Sequence, residues 1–221
     1  MSRALRHNAL SIAAFGLFVL SFAGQLATGW RAHSADEREH GRPAPTFVEY
    51  LGSGHLVEAT FENWESEFLQ MGLFVVLTTM LRQKGSSESK GFGGPEEVDE
   101  DPRAHRHDPG APWPVRRGGL VLAVYERSLS GALFLLFAIS FALHAAGGAR
   151  EYSSEQLAHG GRAVTAWQFL ATSQFWFESF QNWQSEFLSV GMLIVLTIWL
   201  RDRGSPQSKP VAAPHAQTGD G

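Results

Sequence analysis

The chain contains no cysteine among its 221 residues. This absence excludes disulfides, thiolate metal sites, cysteine nucleophiles and covalently attached haem. An excess of basic charge is also lacking, since the formal net charge is -4. Nucleic-acid binding calls for a clustered basic face. We therefore expect no nucleic-acid partner, while the redox compartment stays open because a chain without thiols suits either environment.

Common catalytic motifs are missing as well. The sequence has no glycine-rich phosphate loop, no nucleophile elbow and no H-E-x-x-H metal motif. His144 is the one histidine inside an apolar run, so the facing axial ligands that b-type haem needs are not supplied. We predict no cofactor, assign no catalytic residue and no metal site, and find nothing that favours an enzyme. His105, His107 and Asp108 could bind a metal, but their polar surroundings favour a solvated linker.

Long apolar runs, in contrast, are present. The segments 9–30 and 129–148 carry no formal charge, and a bilayer core roughly 30 Å thick needs about 20 such residues in a helix. The runs 68–81 and 187–200 are shorter, and an aromatic, partly polar stretch before each one lengthens the helix outward. We predict an all-α membrane protein with four transmembrane helices, at about 9–30, 55–82, 120–147 and 174–201.

Basic residues set the predicted orientation. In a four-span arrangement, 13 of the 18 Lys and Arg residues lie on one side of the membrane, and the positive-inside rule makes that side, with both termini, cytoplasmic. Arg3 and Arg6 before the first run also suit a cleaved signal peptide, but a matching segment in mid-chain favours retention. Tryptophan favours membrane interfaces. The predicted anchors are Trp30, Trp64 and Trp183 at the outer interface and Trp199 at the inner one.

The most specific signal is an internal repeat. A shift of 119 residues lays the chain on itself without a gap, and residues 61–90 match residues 180–209 at 17 of 30 positions. The shared core reads F-x-N-W-x-S-E-F-L-x-x-G, then V-L-T, L-R and G-S-x-x-S-K. Because each unit crosses the membrane twice, both copies enter with the same orientation. We predict two tandem parallel repeats of two helices each, with a pseudo-two-fold axis along the membrane normal.

The domain organisation follows from this repeat. Repeat 1 is predicted at 1–82 and repeat 2 at 119–203. Between them, 83–118 is predicted to be a disordered cytoplasmic linker, and 204–221 a disordered cytoplasmic tail. Glycine, proline and mixed charge without periodicity leave both segments unable to bury a core.

The outer loops carry matching signals in the two repeats. His40-Gly41 and His159-Gly160 each follow a short polar stretch, which is typical of a glycine at a helix C-cap. Short interfacial helices are predicted at 46–51 and 165–170, with chain breaks near 52–54 and 171–173.

Polar residues recur inside the predicted spans. At 100° per residue, Asn63 and Glu67 share one stripe of the second helix, and Asn182 and Glu186 share the matching stripe of the fourth. An ionisable group in hydrocarbon is costly, so it should face the bundle interior and find a partner. Gln25 and His144 occupy matching positions at nearly the same depth. We predict one interior site for a proton or cation, formed by Gln25, Asn63, Glu67, His144, Asn182 and Glu186.

Two functions are compatible with this cluster. Two carboxylates near a symmetry axis repel each other, which favours a shared proton or a bridging cation and hence a small transporter, channel or proton-responsive protein. The same residues also suit hydrogen bonds between helices that only fix packing. The alternative is then a structural or partner-binding membrane protein that acts through its cytoplasmic linker and tail. The sequence is compatible with a homo-oligomer in the lipid bilayer, and it identifies no protein partner for the linker.

The chain resembles a known family. The features that carry the resemblance are the repeated N-W-x-S-E-F-L segment, the HGG stretch at 159–161 and the acidic D-E-D-P-R segment at 99–103. They are similar to an uncharacterised bacterial family of small multi-span membrane proteins, a domain-of-unknown-function family. The resemblance covers nearly the whole chain and implies a bacterial inner-membrane location. It supplies no activity and no catalytic residues.

Overall fold

The computed structural model describes residues 6–219. Arg3 of the basic N-terminal segment and the last two residues of the predicted tail lie outside the described residues. Within 6–219 the chain is all-helical, without a strand. The α-helices are α1 (Ala9–Glu39), α2 (Phe47–Leu51), α3 (Gly54–Met80), α4 (Trp113–Arg117), α5 (Gly119–Tyr125), α6 (Ser128–Ala158), α7 (Ala166–Phe169) and α8 (Ser173–Trp199). Two 3-10 helices lie at Glu97–Asp99 and Pro102–His105.

Two of these helices, α1 and α6, are long and apolar enough to cross a membrane. The sequence analysis predicts four spans. Length and composition of the helices in the structure support two of them. The helices α3 and α8 begin with polar residues: Glu58, Glu62, Glu65 and Glu67 in α3, and Glu178 and Glu186 in α8. These carboxylates lower the hydropathy of the first half of each helix, although both are 27 residues long.

The helix ends differ from the predicted ones in a systematic way. The first helix was expected to end at residue 30, but α1 continues to Glu39. Its extension reads RAHSADERE, and these residues include good helix formers such as Ala, Glu and Arg. The helix α6 likewise continues to Ala158, past the predicted end at 147. Hydropathy locates the apolar part of a helix but not its end, because a helix can continue into water.

Short-range signals in the outer loops are confirmed. Thr46 and Thr165 each accept a hydrogen bond from the backbone three residues ahead and begin a short helix with a capping box. The glycines after α1 and α6, Gly41 and Gly160, have φ angles of 71° and 77°. This left-handed conformation ends a helix most easily at glycine. The chain then turns at 52–53 and 170–172 before α3 and α8 begin.

Contacts divide the chain into two compact units. Unit 1 comprises Met1–Phe61 and Leu143–Phe175, and unit 2 comprises Glu62–Ala142 and Trp176–Gly221. The boundaries fall within α3, α6 and α8. Each unit has its own packing, and we describe the two in turn.

Unit 1 packs aromatic rings of the short helices against glycines of the long ones. Tyr50 of α2 is 1% exposed, and its Oη would lie 2.3 Å from a Cβ atom on Gly29 of α1. At the matching positions, Phe169 of α7 is 0% exposed, and its ring would lie 2.3 Å from a Cβ atom on Gly148 of α6. A side chain at either glycine would displace a buried ring, so glycine is required at both positions.

Unit 2 contains the segments 83–118 and 204–219, for which composition predicts disorder. In this structure they carry the two 3-10 helices, α4 and a series of hydrogen-bonded turns. Lys209 is 1% exposed, and its Nζ donates to the carbonyl oxygens of Gly85, Pro214, His215 and Gln217. Burial lowers the pKa of this lysine, and the nearby Arg201 lowers it further. This buried ammonium group thus links the tail to the segment after α3, and Gly85 N, which donates to Thr218 Oγ1, adds a second link.

Candidate functional site

The helices α3 and α6 approach each other closely in unit 1 because glycines lie at their crossing. A Cβ atom on Gly147 would lie 2.6 Å from the backbone nitrogen of Glu58. One on Gly54 would lie 2.9 Å from the carbonyl oxygen of Gly147. Backbones come this near to each other only where glycine removes the side chain. The crossing positions the first turns of α3 directly against α6.

Glu58 and His144 meet at this crossing. A Cβ atom on Gly148 would lie 2.8 Å from Oε1 of Glu58, so the glycine leaves room for the carboxyl group. A carboxylate oxygen of Glu58 and a ring nitrogen of His144 lie within 4.8 Å of each other. His144 is 0% exposed, and its ring stacks on Phe175 with centroids 4.7 Å apart. The result is a half-buried carboxylate and a buried imidazole that face each other in a recess lined by glycine.

Gln25 also lies against α3 in unit 1. Its Nε2 donates to Oγ1 of Thr60 at 3.3 Å, and Thr60 is 5% exposed. Gln25 and His144 stand 119 residues apart in the sequence, and each reaches a polar side chain of α3. Sequence reasoning selected these two positions as interior, and both are at least half-buried.

A second group of histidines lies nearby in unit 1. The rings of His33 and His55 have centroids 4.7 Å apart, and each lies 5.9 Å from the ring of Tyr50. Nδ1 of His55 is buried, and no hydrogen-bond partner for it occurs among residues 6–219. Sequence reasoning missed these histidines, because Tyr152 and Gln174 occupy the matching positions in the second repeat. A comparison of the two repeats selects residues that both copies share, so it does not select histidines that occur in one copy.

The remaining four predicted site residues belong to unit 2. Asn63 and Glu67 are exposed, whereas Asn182 and Glu186 are half-buried. The Nδ2 atom of Asn182 donates to the backbone oxygen of Glu178 within its own helix. The six predicted residues therefore divide into Gln25 and His144 in unit 1 and these four in unit 2.

Glu65 is the buried acid of unit 2. It is 0% exposed, and its Oε1 accepts hydrogen bonds from Ser179 Oγ at 2.8 Å and from Trp183 Nε1 at 3.3 Å. Glu65 lies two residues before Glu67, about 200° around the helix, so the two acids face opposite sides. Glu67 recurs in the second repeat as Glu186, whereas Gln184 stands at the position that matches Glu65. Glu67 was therefore predicted to be a site residue and Glu65 was not.

The four predicted tryptophan anchors have different surroundings. In unit 1, Trp30 Nε1 donates to the backbone oxygen of Pro45 at 2.9 Å. In unit 2, Trp183 contacts Glu65, Trp64 is half-buried and Trp199 is 56% exposed. Trp199 keeps the exposure expected of an interfacial ring, whereas Trp183 binds within the protein.

The fold and the site define a class: an all-helical protein with two helices able to cross a membrane and a half-buried carboxylate beside a buried imidazole. The chain belongs to a family described as a domain of unknown function, DUF6766, whose pattern matches residues 1–220. No curated protein and no solved structure matches the chain. The family supplies no activity, so the functional argument depends on the residues described above.

Proposed function

We propose that this chain is a multi-pass membrane protein that binds a proton or a cation at the recess formed by Glu58 and His144. In this proposal α1, α3, α6 and α8 all span the bilayer of a bacterial inner membrane, and both termini are cytoplasmic. The observation that carries it is the carboxylate oxygen of Glu58 within 4.8 Å of a ring nitrogen of the buried His144. Imidazole and carboxylate together suit divalent metals such as Zn²⁺.

The topology in this proposal is two parallel repeats, and matched local geometry supports it. Gly85 and Gly204 have φ angles of 88° and 87°. Ser89 and Ser208 each accept a hydrogen bond from the backbone nitrogen six residues earlier, at 2.8 and 2.9 Å. Arg82 and Arg201 both donate to backbone oxygens at the end of their helix. Such agreement at positions 119 apart is expected if the two halves are copies.

The chemistry at the recess follows from burial. Glu58 is half-buried, and a carboxylate that loses part of its water is destabilised unless a proton, a cation or hydrogen bonds compensate its charge. The imidazole of His144 can hold a proton beside Glu58 or offer a lone pair to a metal. Gln25 and Thr60 form a further polar contact on α3. Exchange of a proton or cation at this position is therefore the activity that the geometry supports best.

The test is cation binding by the purified protein in nanodiscs. Zn²⁺ is titrated against wild type and against Glu58→Gln and His144→Gln, with binding measured by calorimetry and by the shift in thermal unfolding temperature. We expect wild type to bind and both variants to lose most of the affinity. The matched control is His159→Gln, an exposed histidine whose Nδ1 contacts the Glu155 backbone oxygen in the same stretch of chain. Equal binding by wild type and both recess variants would contradict the metal form of the proposal.

The proton form has its own test. Liposomes carrying the protein and an internal pH dye are given a pH step, and the rate of proton entry is compared between wild type and His144→Gln. We expect faster entry with wild type. Rates that match protein-free liposomes, together with no Zn²⁺ binding, would remove the site altogether.

The four polar residues of unit 2 form a second part of the proposal. Glu67 and Glu186 are acids at matching positions of α3 and α8, and a proton or cation shared between them would relieve the repulsion of two carboxylates. The double variant Glu67→Gln with Glu186→Gln should then lower proton entry in the liposome assay while Zn²⁺ binding at the recess persists. If the double variant behaves as wild type in both assays, these residues serve packing only.

A structural or partner-binding role is the second candidate function, and the ordered tail favours it. Lys209 and its four carbonyl partners hold the tail against residue 85, and Ser86 Oγ meets Thr197 Oγ1 at 3.0 Å. A fixed shape at this end of unit 2 suits recognition by another protein. Replacing 91–112 by a neutral linker should abolish function in this case and leave Zn²⁺ binding unchanged.

A further inference from the structure

The short helix α5 precedes the apolar helix α6, and the structure separates the two. The chain turns at Glu126 and Arg127, both exposed, before α6 begins at Ser128. The third span is predicted to begin at about 120, within α5. The uncharged stretch 129–148 alone covers the roughly 30 Å of a bilayer core at 1.5 Å per residue. The residues of α5 are therefore not needed to cross the membrane.

One face of α5 is nevertheless apolar and exposed. Leu120 is 86% exposed and Val124 is 71% exposed, and residues four apart lie on the same face of a helix. Leu122 on the opposite face is buried, as is Val115 of α4, and the two short helices contact each other. Trp113, at the start of α4, is also exposed. A helix packed on one face and apolar on the other suits the boundary between lipid headgroups and acyl chains.

Three arginines, Arg106, Arg116 and Arg117, gather beside this helix, and we call them the arginine cluster. Arg116 and Arg117 end α4, and Gly118, with a φ angle of 70°, turns the chain into α5. Arg106 comes from the linker. Its Nε donates to the backbone oxygen of Arg116 at 3.1 Å, and its Cζ would lie 4.0 Å from a Cβ atom on Gly118. The folded linker thus brings a third guanidinium group to the end of α4.

The arginine cluster has no acidic partner within the described range 6–219. The linker acids that lie closest in sequence to Arg106 contact other basic residues: Glu100 and Asp108 contact His105, and Asp101 contacts Arg103. The segment 113–127 holds three arginines against one acid, Glu126. The surface beside α5 therefore carries an excess of positive charge, with guanidinium groups available to an anion from outside the chain.

We propose that the arginine cluster and the exposed face of α5 bind anionic phospholipids of the cytoplasmic leaflet. Guanidinium groups match phosphate oxygens with paired hydrogen bonds, and Leu120 and Val124 enter the region where the acyl chains begin. Basic residues directly on the cytoplasmic side of a spanning helix attract anionic lipids. The inference rests on the membrane topology of the proposed function and is independent of the recess at Glu58 and His144.

The combination of charge and apolar surface favours a phospholipid over a free phosphate ion. A phosphate ion would use the arginine cluster alone and leave Leu120 and Val124 in water. A phospholipid in the bilayer satisfies the guanidinium groups with its headgroup and covers the apolar face with its chains. The start of α6, three residues after the end of α5, holds this surface at the level of the headgroups.

The first test measures lipid preference. The purified full chain in neutral detergent is titrated with phosphatidylglycerol or with phosphatidylcholine of the same acyl chains, and bound lipid is counted by native mass spectrometry. We expect wild type to reach half-saturation at a roughly tenfold lower concentration of the anionic lipid. The ratio should fall to about one in the cluster variant, which combines Arg106→Gln, Arg116→Gln and Arg117→Gln.

Two controls accompany this titration. A matched variant removes the same charge from three exposed arginines elsewhere in the chain, and it should keep the wild-type ratio: Arg31→Gln, Arg38→Gln and Arg162→Gln combined. Inorganic phosphate, added to wild type at the concentration of the lipid, should not displace phosphatidylglycerol.

The second test measures depth in the bilayer and uses the absence of cysteine from the natural chain. Leu120→Cys carries a nitroxide label, and its accessibility to oxygen and to a nickel chelate is measured by electron paramagnetic resonance in vesicles that contain phosphatidylglycerol. We expect the label at the boundary of headgroups and acyl chains. Gly110→Cys, in the exposed linker, should report water, and Leu136→Cys, on α6, should report hydrocarbon.

Three results would overturn the proposal. The first is an equal lipid ratio in wild type and the cluster variant. The second is displacement of phosphatidylglycerol by inorganic phosphate, which would make the cluster a site for a free anion. The third is a Leu120 label as exposed to water as the Gly110 label, while the Leu136 label lies in hydrocarbon. A Leu136 label in water would contradict the proposed topology itself, and this inference with it.

Discussion

The two G-S-x-x-S-K turns, at 85–90 and 204–209, share a backbone but differ in what their lysines do. Lys90 is half-buried and binds Asp99 in the linker, which lowers the pKa of that carboxyl group. Lys209 is buried and binds four carbonyl oxygens instead. The comparison teaches that the shared residues of a duplicated segment set its backbone, whereas each copy uses its side chains for local contacts. The following predictions compare matched positions, from the largest expected effect to the smallest.

Gly147 should be the most sensitive of the matched positions. Its counterpart in the first repeat is Thr28, which is exposed, whereas a Cβ atom on Gly147 would lie 2.6 Å from a backbone nitrogen. Because the backbone of α3 cannot move aside locally, Gly147→Ala should destabilise the protein by about 2–3 kcal/mol. Thr28→Ala is the control and should change little. Thermal unfolding in detergent measures both, and equal effects would show that the two helix crossings do not differ.

Lys209 should matter more than Lys90. Lys209→Met leaves several carbonyl oxygens without a donor, and the loss of a charged hydrogen-bonding group should cost about 2–3 kcal/mol. Lys90→Met removes the partly exposed ion pair with Asp99 and should lower the stability less. Limited proteolysis of the tail gives the readout: Lys209→Met should be cut faster than wild type, and Lys90→Met at the wild-type rate. Equal cutting of both variants would remove the distinction between the two turns.

Two serines extend the comparison to the outer loops. Ser153 Oγ accepts from the backbone nitrogen of Val164 at 2.9 Å. Its counterpart Ser34 is 4% exposed, and its Oγ has no partner among residues 6–219. The reason is that Pro45 replaces Val164 at the matching position, and proline has no N–H to donate.

The two alanine substitutions should therefore differ. Ser153→Ala leaves a backbone N–H unsatisfied and should cost about 1–2 kcal/mol. Ser34→Ala removes a hydroxyl group that binds nothing, so its unfolding temperature should stay at or above that of wild type. A loss of stability in Ser34→Ala that equals the loss in Ser153→Ala would show that Ser34 has a partner after all.

The smallest effect concerns the linker, which has no counterpart in the tail. His105 binds Asp108 and Glu100 at 2.8 and 3.0 Å, and these hydrogen bonds raise its pKa above 6.5. A raised pKa in the folded state means that the stabilisation is complete below 6.5 and is lost as the pH rises through the higher folded-state pKa. Nuclear magnetic resonance of the His105 ring should show this titration. In wild type, residues 100–108 should be more ordered at low pH than at high pH. This difference should disappear in His105→Gln and persist in His107→Gln.

The fold was largely predictable where the signal is local. Short helices were predicted at 46–51 and 165–170, and α2 and α7 occur there. The ends of α1 and α6 were predicted too early, because hydropathy falls at the edge of an apolar run while helix propensity does not. The ordered turns of the tail were not predicted, since their stability comes from Lys209 and from carbonyl oxygens of other segments.

The candidate site was predictable only in part. Helical periodicity selected Gln25 and His144, and both lie against other helices. Periodicity could not select Glu58, because its position depends on which face of α3 meets the glycines of α6. Glu67 was expected to be the interior acid, but Glu65 is buried and Glu67 is exposed. The reason is the same: a stripe of polar residues defines one face of a helix, but not whether that face lies inside the protein.

By itself, the sequence determined the helical class, the two apolar helices, the matched caps and turns, and the motif that recurs after 119 residues, because each depends on neighbours within a few residues along the chain. The tertiary structure alone decided that Glu58 meets His144 and that Glu65 is buried. These features depend on how closely helices distant in sequence approach, and that distance is set by packing of whole helix faces.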